Sequence, residues 1–563
     1  MGKFKNIIIL FFVLAISFLA LRSLWGPQFF TSHDGQSHMA RLFELNRVLK
    51  EGQFPVRWAG QFSGARGYPV FNFAYPLPYW TAEVFYLLGF NLAESIKIVF
   101  FLAYLASGIG MFLFIKEVFK NKLAAFTVSI IWLWAPYRFV KIFVTASLGE
   151  ACAFGILPFI FLFGFLLAKK ANKKNFLALT AVLTAFIVTH LITMIIFFPL
   201  LAMFLLWALK YAPKPKKSVK LFILSAVFSL ALSAFYLIPA IWDIRYTHFQ
   251  EILTKNYPQQ FVSFKKLIYS SWGYNAPGYV DGLSQQVGLA QWMAVFIALA
   301  VIAYIFLQKR KNNQQLLLGL IFLFNFVLAI FLMLKISLPV WDLFSPLQKV
   351  DTPWRFLSLA VFSSAFLTGF VIWIIGNLSK KNYWCPVSGI WLLLVFLAFY
   401  GNRNHLRINA SIDWDEQYFA NYYWVGSGWN EYIPRWARKK PYQLPPKEKV
   451  EIVRGKCEVK NLKTKSYLIS FNLQCSEPSE VLVNNYYFPG WSLRVGNEDK
   501  TSQIIGNLEK SRGMVLFEVP KGNHQGELKF GETGLRLIAD LFSLASISLL
   551  IFICFSGKKK LFS

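Results

Sequence analysis

Charged residues are scarce in this chain. Asp, Glu, Lys and Arg make up only 15% of its 563 residues, while 56% are hydrophobic. A soluble protein of this composition could not cover its surface with polar groups, which excludes a soluble globular fold. Apolar runs long enough to cross a bilayer recur along most of the sequence, so we predict a mainly α-helical, polytopic membrane protein.

Acidic residues are the scarcer charged class, with 28 Asp and Glu against 58 Lys and Arg and a net charge of +30. In a soluble protein that charge would suggest a nucleic acid partner. Here the lysines lie in short loops between apolar runs, as is typical of cytoplasmic loops that face anionic lipid. We therefore exclude nucleic acid as a partner and expect membrane lipids instead.

Cysteine is also rare, with five residues and no Cys/His cluster of zinc-finger spacing. Cys152, Cys385 and Cys554 lie in apolar segments and are predicted to be small buried residues. Cys457 and Cys475 lie in the one large polar segment. They can pair if that segment is extracytoplasmic, but their spacing alone does not decide it.

Residues 6–25 form the first apolar run, preceded by Lys3 and Lys5. The run is too long for the core of a signal peptide and lacks a small-residue cleavage site, so we predict a retained span with a cytoplasmic N-terminus. Later basic clusters mark further cytoplasmic loops; they lie at residues 116–122, 169–174, 210–217, 309–311, 380–381 and 558–560.

These clusters also decide two ambiguous segments. We interpret residues 75–90, YPLPYWTAEVFYLLGF, as a short interfacial or re-entrant helix, because a full crossing would move every later basic cluster outside. Residues 176–207 exceed the ~20 residues of one span, so we predict two short spans with an outer turn near Thr189 and His190. About twelve spans then bring both termini to the cytoplasmic side.

We predict three parts: residues 1–399 as a transmembrane domain, residues 400–533 as an extracytoplasmic β domain, and residues 534–563 as a final transmembrane helix with a basic cytoplasmic tail. The β prediction rests on alternating residues, as in SYLISFNLQC, and on further short apolar runs separated by Gly, Pro and Asn. For residues 450–530 we expect an antiparallel β-sandwich with a core that includes Phe471, Leu473, Trp491 and Phe517.

Acids and bases gather in the predicted outer loops. Asp34 follows the first span, flanked by His33 and His38. It precedes HMARLFELNRVLKEG, whose apolar and charged residues predict an amphipathic helix on the outer surface. Asp34 can serve as an N-terminal cap or first-turn acid of that helix, and its alternative interpretation is catalytic.

The second outer loop is PYRFVKIFVTASLGEACAF. Its Glu150 lies at the mouth of a very apolar span, where an ionisable residue is costly and by default functional. The alternative for Glu150 is a structural pairing with Arg138 or Lys141.

Two later outer segments add candidates. His190 lies at the predicted outer turn, although a lone His in an apolar run is more often structural. The sequence VDTPWRFLSLAVF brings Asp351 and Arg355 to the outer start of another span, where Trp354 and Arg355 can also act as interfacial anchors.

The order of these motifs resembles a known superfamily. HDGQSHMARLFE, YPLPYW, PYRF…SLGEACAFGILP and DTPWRFLSL resemble the GT-C superfamily of integral membrane glycosyltransferases, which use polyprenyl-phosphate-linked sugars. They are most similar to a bacterial branch labelled 6-pyruvoyl-tetrahydropterin synthase-related. Nothing in the sequence resembles a soluble pterin synthase with its histidine zinc site. The C-terminal NNYYFPGWSLRV…VPKGNHQGELKFGETGLRL looks like the ectodomain and last span of related bacterial proteins.

The resemblance implies roles for individual residues. Asp34 matches the aspartate that acts as catalytic base, and Glu150 matches the second acid, which is Asp in many relatives. His190 takes the place of a basic residue that contacts the lipid phosphate. The predicted substrate-binding residues are His33, His38, Arg138, His190 and Arg355. A divalent metal, Mg²⁺ or Mn²⁺, held by Asp34 and His38 is left open.

The implied reaction is an inverting transfer of a hexose or pentose from a lipid-phosphate donor to a glycan, lipid or protein acceptor. It would take place on the outer face of a bacterial plasma membrane. One alternative is a lipid or polysaccharide transporter, which would place paired charges near the membrane midplane rather than at the outer ends of spans. The other is a non-catalytic envelope-assembly protein that uses the β domain for binding.

The lysine clusters generate a topological prediction. A reporter inserted at residues 169–174 should lie in the cytoplasm, and one inserted at Gly496 should lie outside, because basic loops stay on the cytoplasmic side. Protease accessibility in sealed cells would measure both positions. Finding both reporters on the same side would contradict the topology.

Overall fold

The computed structural model describes residues 2–253, 257–274, 282–308, 314–378, 384–425 and 430–555. The basic clusters at 309–311, 380–381 and 558–560 lie outside the described residues, as do the side chains of Lys3, Lys5 and Cys385.

Within the described residues, seven helices are long and apolar enough to cross a membrane: Leu92–Phe119, Leu148–Lys169, Leu191–Lys210, Leu289–Leu307, Gln314–Met333, Pro353–Asn377 and Gly534–Phe555. Two bent pairs raise the number to nine if each pair is one span: Lys122–Leu133 with Pro136–Val144, bent by 49°, and Pro215–Leu232 with Ala234–Tyr246, bent by 68°. A polytopic helical membrane protein is therefore confirmed. The count of about twelve spans stays a prediction.

Three further helices belong to the bundle: Gly2–Ala20, Lys173–Ile187 and Trp384–Gly401. The predicted break within residues 176–207 is confirmed, because one helix ends at Ile187 and the next begins at Leu191. His190 caps the second helix, since its ring nitrogen accepts the Thr193 N–H. The remaining short helices are Phe62–Ala65, Pro136–Phe139, Val140–Val144, Phe249–Leu253, Phe264–Ile268, Leu338–Leu343, Ser345–Gln348, Glu416–Ala420 and Thr501–Gly506, together with the 3-10 turns Arg22–Leu24, Val70–Asn72, Tyr257–Gln259 and Lys335–Ser337.

The segment after the first helix contains two helices that shape the site. The first, Gly35–Lys50, is the predicted amphipathic helix, and the second, Pro76–Leu87, has the short length predicted for residues 75–90. On the charged side of the first, Arg41 and Glu44 are buried, whereas Lys50 is exposed. Glu44 is 0% exposed, because it pairs with Arg47 at 2.7 Å and accepts the backbone N–H of Gln61 at 3.0 Å.

The C-terminal region contains two antiparallel sheets. Five strands form the first sheet, in the order Cys457–Lys465, Leu468–Cys475, Gly522–Phe530, Trp491–Val495 and Glu498–Asp499. Three strands form the second, in the order Val450–Arg454, Ser479–Tyr486 and Met514–Val519.

The predicted core residues of this region are all buried, as listed by exposure: Phe471 2%, Leu473 1%, Trp491 2% and Phe517 0%. Phe471 of the first sheet and Phe517 of the second are in ring contact at 6.3 Å. The antiparallel β region is confirmed, while full sandwich packing and the three-part division of the chain stay predictions.

Two of the cysteines pair and another differs from expectation. Cys457 and Cys475 lie opposite each other on neighbouring strands and form a disulfide. Cys152 is buried as predicted. Cys554 is exposed, and its predicted burial is wrong, because the helix Gly534–Phe555 buries only the stripe of Arg536, Ala539, Ser543 and Ser546.

Arg57 ties the first outer segment to the last helix. Its guanidinium contacts Asp540 Oδ1 at 2.9 Å and Glu532 Oε1 at 3.1 Å, and it donates to the Phe235 carbonyl at 3.0 Å. The Arg57 side chain is only 4% exposed. Because a buried cation needs partners, these contacts fix the first outer segment against the start of the last helix and against Phe235.

Replacing Arg57 should therefore destabilise the whole protein. Arg57→Ala leaves two largely buried carboxylates without their cation, which should lower the free energy of unfolding by about 3 kcal/mol. Denaturant unfolding in detergent would measure the change. The matched control is Arg454→Ala on an exposed strand position, which should stay within about 0.5 kcal/mol of wild type. Equal effects of the two variants would contradict the role of Arg57.

Candidate functional site

The loop that carries Asp34 is fixed on both sides. Phe29–Phe30 pairs with Ser411–Ile412 in a short antiparallel ladder. On the other side, the His33 N–H donates to the Val144 carbonyl at 3.0 Å and the Asp34 N–H donates to the Thr145 carbonyl at 3.1 Å. The position of Asp34 is therefore set by backbone hydrogen bonds rather than by its side chain.

The glycine of HDG is required by packing. A Cβ at Gly35 would lie 2.4 Å from the Phe29 ring and 2.4 Å from the Ser32 hydroxyl, closer than real carbon contacts allow. Gly35 thus lets the helix Gly35–Lys50 begin directly against the ladder.

The Asp34 side chain does not cap this helix. Asp34 occupies the N-cap position, yet its carboxylate accepts no capping hydrogen bond. Within the described part of the chain it also has no ion-pair partner within 4.0 Å. It is half-buried, and burial raises its pKa against the lowering effect of nearby basic side chains, namely His33, Lys141, Arg41 and Arg355. The capping interpretation therefore agrees with the N-cap position of Asp34, but it does not account for a carboxylate that makes no capping hydrogen bond.

Glu150, in contrast, is fully paired. Its Oε2 contacts Lys141 Nζ at 2.7 Å, and its Oε1 accepts the Tyr137 hydroxyl at 2.6 Å. The side chains of Lys141 and Glu150 are 2% and 3% exposed. Lys141 also lies over the Trp354 ring at 4.3 Å. The structural pairing expected as one alternative for Glu150 is thus formed with Lys141.

Arg138 points into the helix bundle. Its Nη2 donates to Ser107 Oγ at 2.8 Å, and its guanidinium carbon lies 4.7 Å from the Trp132 ring centre and 5.0 Å from that of Phe154. Aromatic faces attract the cation there. Lys141 and Arg355 act electrostatically on both Asp34 and Glu150, and Arg138 acts on Glu150 without an ion pair to it.

Arg355 has spare hydrogen-bonding capacity. It is half-buried, and its Nε donates to Thr352 Oγ1 at 3.0 Å. Among the described residues no carboxylate lies within 4.0 Å of its guanidinium. Its neighbour Asp351 has a backbone φ of 70° and a raised pKa caused by burial. Arg355 is therefore available to an anion that the described residues do not supply.

The three predicted histidines have different surroundings. The His33 ring is exposed and lies 2.7 Å from the Tyr274 carbonyl. His38 is buried, and burial together with the charge of Arg41 lowers its pKa to about 3, so it is neutral at physiological pH. His190 is half-buried, with Nδ1 2.7 Å from Thr193 Oγ1 as part of its cap.

Two tyrosines that our sequence interpretation did not include form one wall of the site. Tyr75 and Tyr79 stack at 5.6 Å. Arg41 donates to the Tyr79 hydroxyl at 2.9 Å, and that hydroxyl lies 2.7 Å from His38 Nδ1. The i, i+4 spacing of the two tyrosines in YPLPYW could have predicted that they lie on the same face of a helix.

The metal hypothesis finds little support in the side chains. No group of three or more His, Cys, Asp or Glu in the described ranges could hold a metal ion. His38 directs one ring nitrogen to Tyr79. Asp34 and His38 thus do not form a protein-only metal site.

Comparison with known protein families gives one match. A model for a membrane protein domain matches residues 71–412, and its description is "6-pyruvoyl-tetrahydropterin synthase related domain". The match covers more than half of the chain, so the chain belongs to this family, as predicted. The matched residues include Glu150, His190 and Arg355 but neither Asp34 nor the β region. No curated protein matches the chain.

Two solved structures show a loose overall likeness. ArnT from Cupriavidus metallidurans, bound to undecaprenyl phosphate, aligns with 13% identity and a TM-score of 0.39 over 70% of this chain and 63% of that one. The Archaeoglobus fulgidus oligosaccharyltransferase in the apo form aligns with 12% identity and a TM-score of 0.39 over 76% of this chain and 57% of that one. Each alignment spans less than two thirds of the solved chain.

The close packing of Tyr75 against the helix Leu148–Lys169 depends on Gly149. A Cβ at Gly149 would lie 2.7 Å from two atoms of the Tyr75 ring. Gly149→Ala should therefore displace Tyr75 and cost about 1–3 kcal/mol of stability, as overpacking does. The matched control is Gly389→Ala, also within a helix, where a Cβ would meet nothing within 4 Å. Thermal unfolding in detergent would compare the two, and a Gly149 variant as stable as the control would contradict this close packing.

Proposed function

We propose that this protein is a membrane glycosyltransferase that moves a sugar from a polyprenyl-phosphate donor to an envelope acceptor, with Asp34 as the general base. The observation that carries the proposal is the Asp34 carboxylate. It lies at the start of a helix without capping it, half-buried among cations and without a partner in the described chain. A carboxylate held in this way can accept a proton from a substrate.

In the proposed step, an acceptor hydroxyl oxygen attacks the anomeric carbon of the donor sugar. The bond between that carbon and the lipid phosphate oxygen breaks, and the electron pair goes to the phosphate. The hydroxyl proton goes to Asp34. Attack from the face opposite the leaving group inverts the anomeric configuration.

The leaving phosphate needs positive charge. Arg355 suits this task, because its guanidinium has no carboxylate within 4.0 Å among the residues that the structure describes and Arg recognises phosphate well. Exposed His33 is a second candidate. Neutral His38 suits orientation of Tyr79, and His190 suits helix capping with one ring nitrogen directed away from Thr193.

Glu150 is proposed to position rather than to exchange protons, because both its oxygens are engaged. It holds Lys141, whose charge acts on Asp34. Arg138 would support the same loop from within the aromatic interior of the bundle.

The proposed location is the outer face of a bacterial plasma membrane, with both termini cytoplasmic. The Cys457–Cys475 disulfide supports an extracytoplasmic β region, because disulfides persist in oxidising compartments. A lipid tail in the bilayer would bring the donor phosphate to the outer ends of the spans.

The test of the base is Asp34→Asn. The change keeps the shape but removes the proton acceptor, so turnover should fall by ~10²–10⁴. Transfer from labelled polyprenyl-phosphate sugars to envelope glycans would measure it. The control is Asp499→Asn, an exposed aspartate of the β region that accepts the Thr501 N–H at 2.8 Å, and its activity should stay at the wild-type level.

The pH profile adds a second readout for the same variant. Only ionised Asp34 can accept a proton, and its pKa is raised. Wild-type activity should therefore fall as the pH decreases through that raised pKa, and Asp34→Asn should lose this limb. Near-normal sugar transfer by Asp34→Asn would end the assignment of Asp34 as the base.

A further inference from the structure

A groove of about 650 Å³ is lined by the chain segment that follows the helix Trp384–Gly401 and precedes the first strand of the β region. Its lining consists of aromatic rings, amides and two acids, and it includes Asp413, Asp415, Gln417, Tyr418, Tyr422 and Trp424. We call this feature the aromatic groove.

The chemistry of the lining favours a neutral, hydroxyl-rich ligand. None of the described residues that line the aromatic groove is basic, in a chain with a net charge of +30. An anion would therefore find acids and no cation there. Aromatic faces pack against the apolar C–H faces of a sugar ring, while carboxylates and amides accept and donate hydrogen bonds to its hydroxyls.

The rings are held in place before any ligand binds. Asp415 caps the helix Glu416–Ala420 by accepting the Tyr418 N–H at 2.7 Å. Tyr418 stacks with Trp414 at 6.2 Å and contacts Tyr422 at 6.1 Å. Such preorganisation lowers the entropic cost of binding.

The aromatic groove is joined to the helix that Asp34 begins. Gln36, two residues after Asp34, donates to the Tyr418 hydroxyl. Gln61 donates to the Phe419 carbonyl at 2.8 Å and to the Tyr422 carbonyl at 3.0 Å. The charge of Arg41 acts on both Asp34 and Tyr422. A ligand in the groove would therefore lie next to the Asp34 loop.

We propose that the aromatic groove binds the acceptor of the sugar transfer as a neutral saccharide. As an acceptor site this rests on the proposed function, although saccharide binding itself can be measured separately. The charged donor phosphate would be held near Arg355. The uncharged acceptor would be held in the aromatic groove, whose described lining has no basic residue.

The experiment measures saccharide binding to the full-length protein in detergent, in the Asp34→Asn background so that turnover is blocked. The probes are neutral oligomers of glucose, mannose and N-acetylglucosamine, and titration calorimetry gives Kd. Tyr418→Ala should weaken binding by about tenfold or more, because it removes a stacking ring. Gln417→Ala, at an exposed position, should also weaken binding.

Two controls keep the outcome clear. Tyr269→Ala removes a tyrosine that is 70% exposed and outside the aromatic groove, and it should leave Kd unchanged. Tyr418→Phe keeps the ring and should retain most of the affinity. If Tyr418→Ala does not fold, as judged by thermal unfolding, Gln417→Ala decides.

The proposal is overturned if none of the neutral oligomers binds, or if both groove variants bind as tightly as Tyr269→Ala. Failure of the proposed function looks different. If the oligomers bind and the groove variants weaken binding, but the protein without the Asp34 substitution transfers no sugar, the groove stands as a saccharide site and the transferase assignment falls.

Discussion

The buried ion pair between Lys141 and Glu150 is the interaction on which the candidate site depends. Two opposite charges at the end of an apolar bundle are costly unless they are paired and hydrogen-bonded. Here the pair is 2.7 Å apart, and the Tyr137 hydroxyl satisfies the second carboxylate oxygen. The pair closes the turn that holds Thr145, and the Asp34 N–H is bonded to the Thr145 carbonyl. Losing one partner would therefore free the turn that positions Asp34.

The same pair creates a difference between two acids that share one electrostatic environment. Lys141 and Arg355 act on both carboxylates. Both carboxylate oxygens of Glu150 are engaged, one by Lys141 and one by Tyr137. Asp34 is held by its backbone N–H, and its carboxylate has no ion-pair partner among the described residues. Glu150 thus has a structural role, and the carboxylate of Asp34 is the one left to accept a proton in the proposed reaction.

Local patterns predicted several elements well. The helix after Asp34, the break at His190 and the alternation around Phe471 all follow from periodicity or from a breaker in the chain. The sequence did not predict which cation pairs with Glu150. Arg138 and Lys141 are three residues apart, but they lie in different short helical segments, Pro136–Phe139 and Val140–Val144. The second is a π-helix, which alters the helical phase, so spacing alone could not tell which cation meets Glu150.

Burial of Glu44 in the helix Gly35–Lys50 could not be predicted from the sequence either, because it depends on distant segments. Glu44 is covered through Gln61, and Gln61 in turn binds carbonyls of residues 419–422, far along the chain. That contact also bears on the proposed function. It joins the cation-rich surroundings of Asp34 to a groove whose described lining has no basic residue. In the proposed transfer, this difference in charge would favour an anionic lipid-linked donor near Arg355 and a neutral acceptor in the groove, since unfavourable contacts against the wrong ligand contribute to specificity.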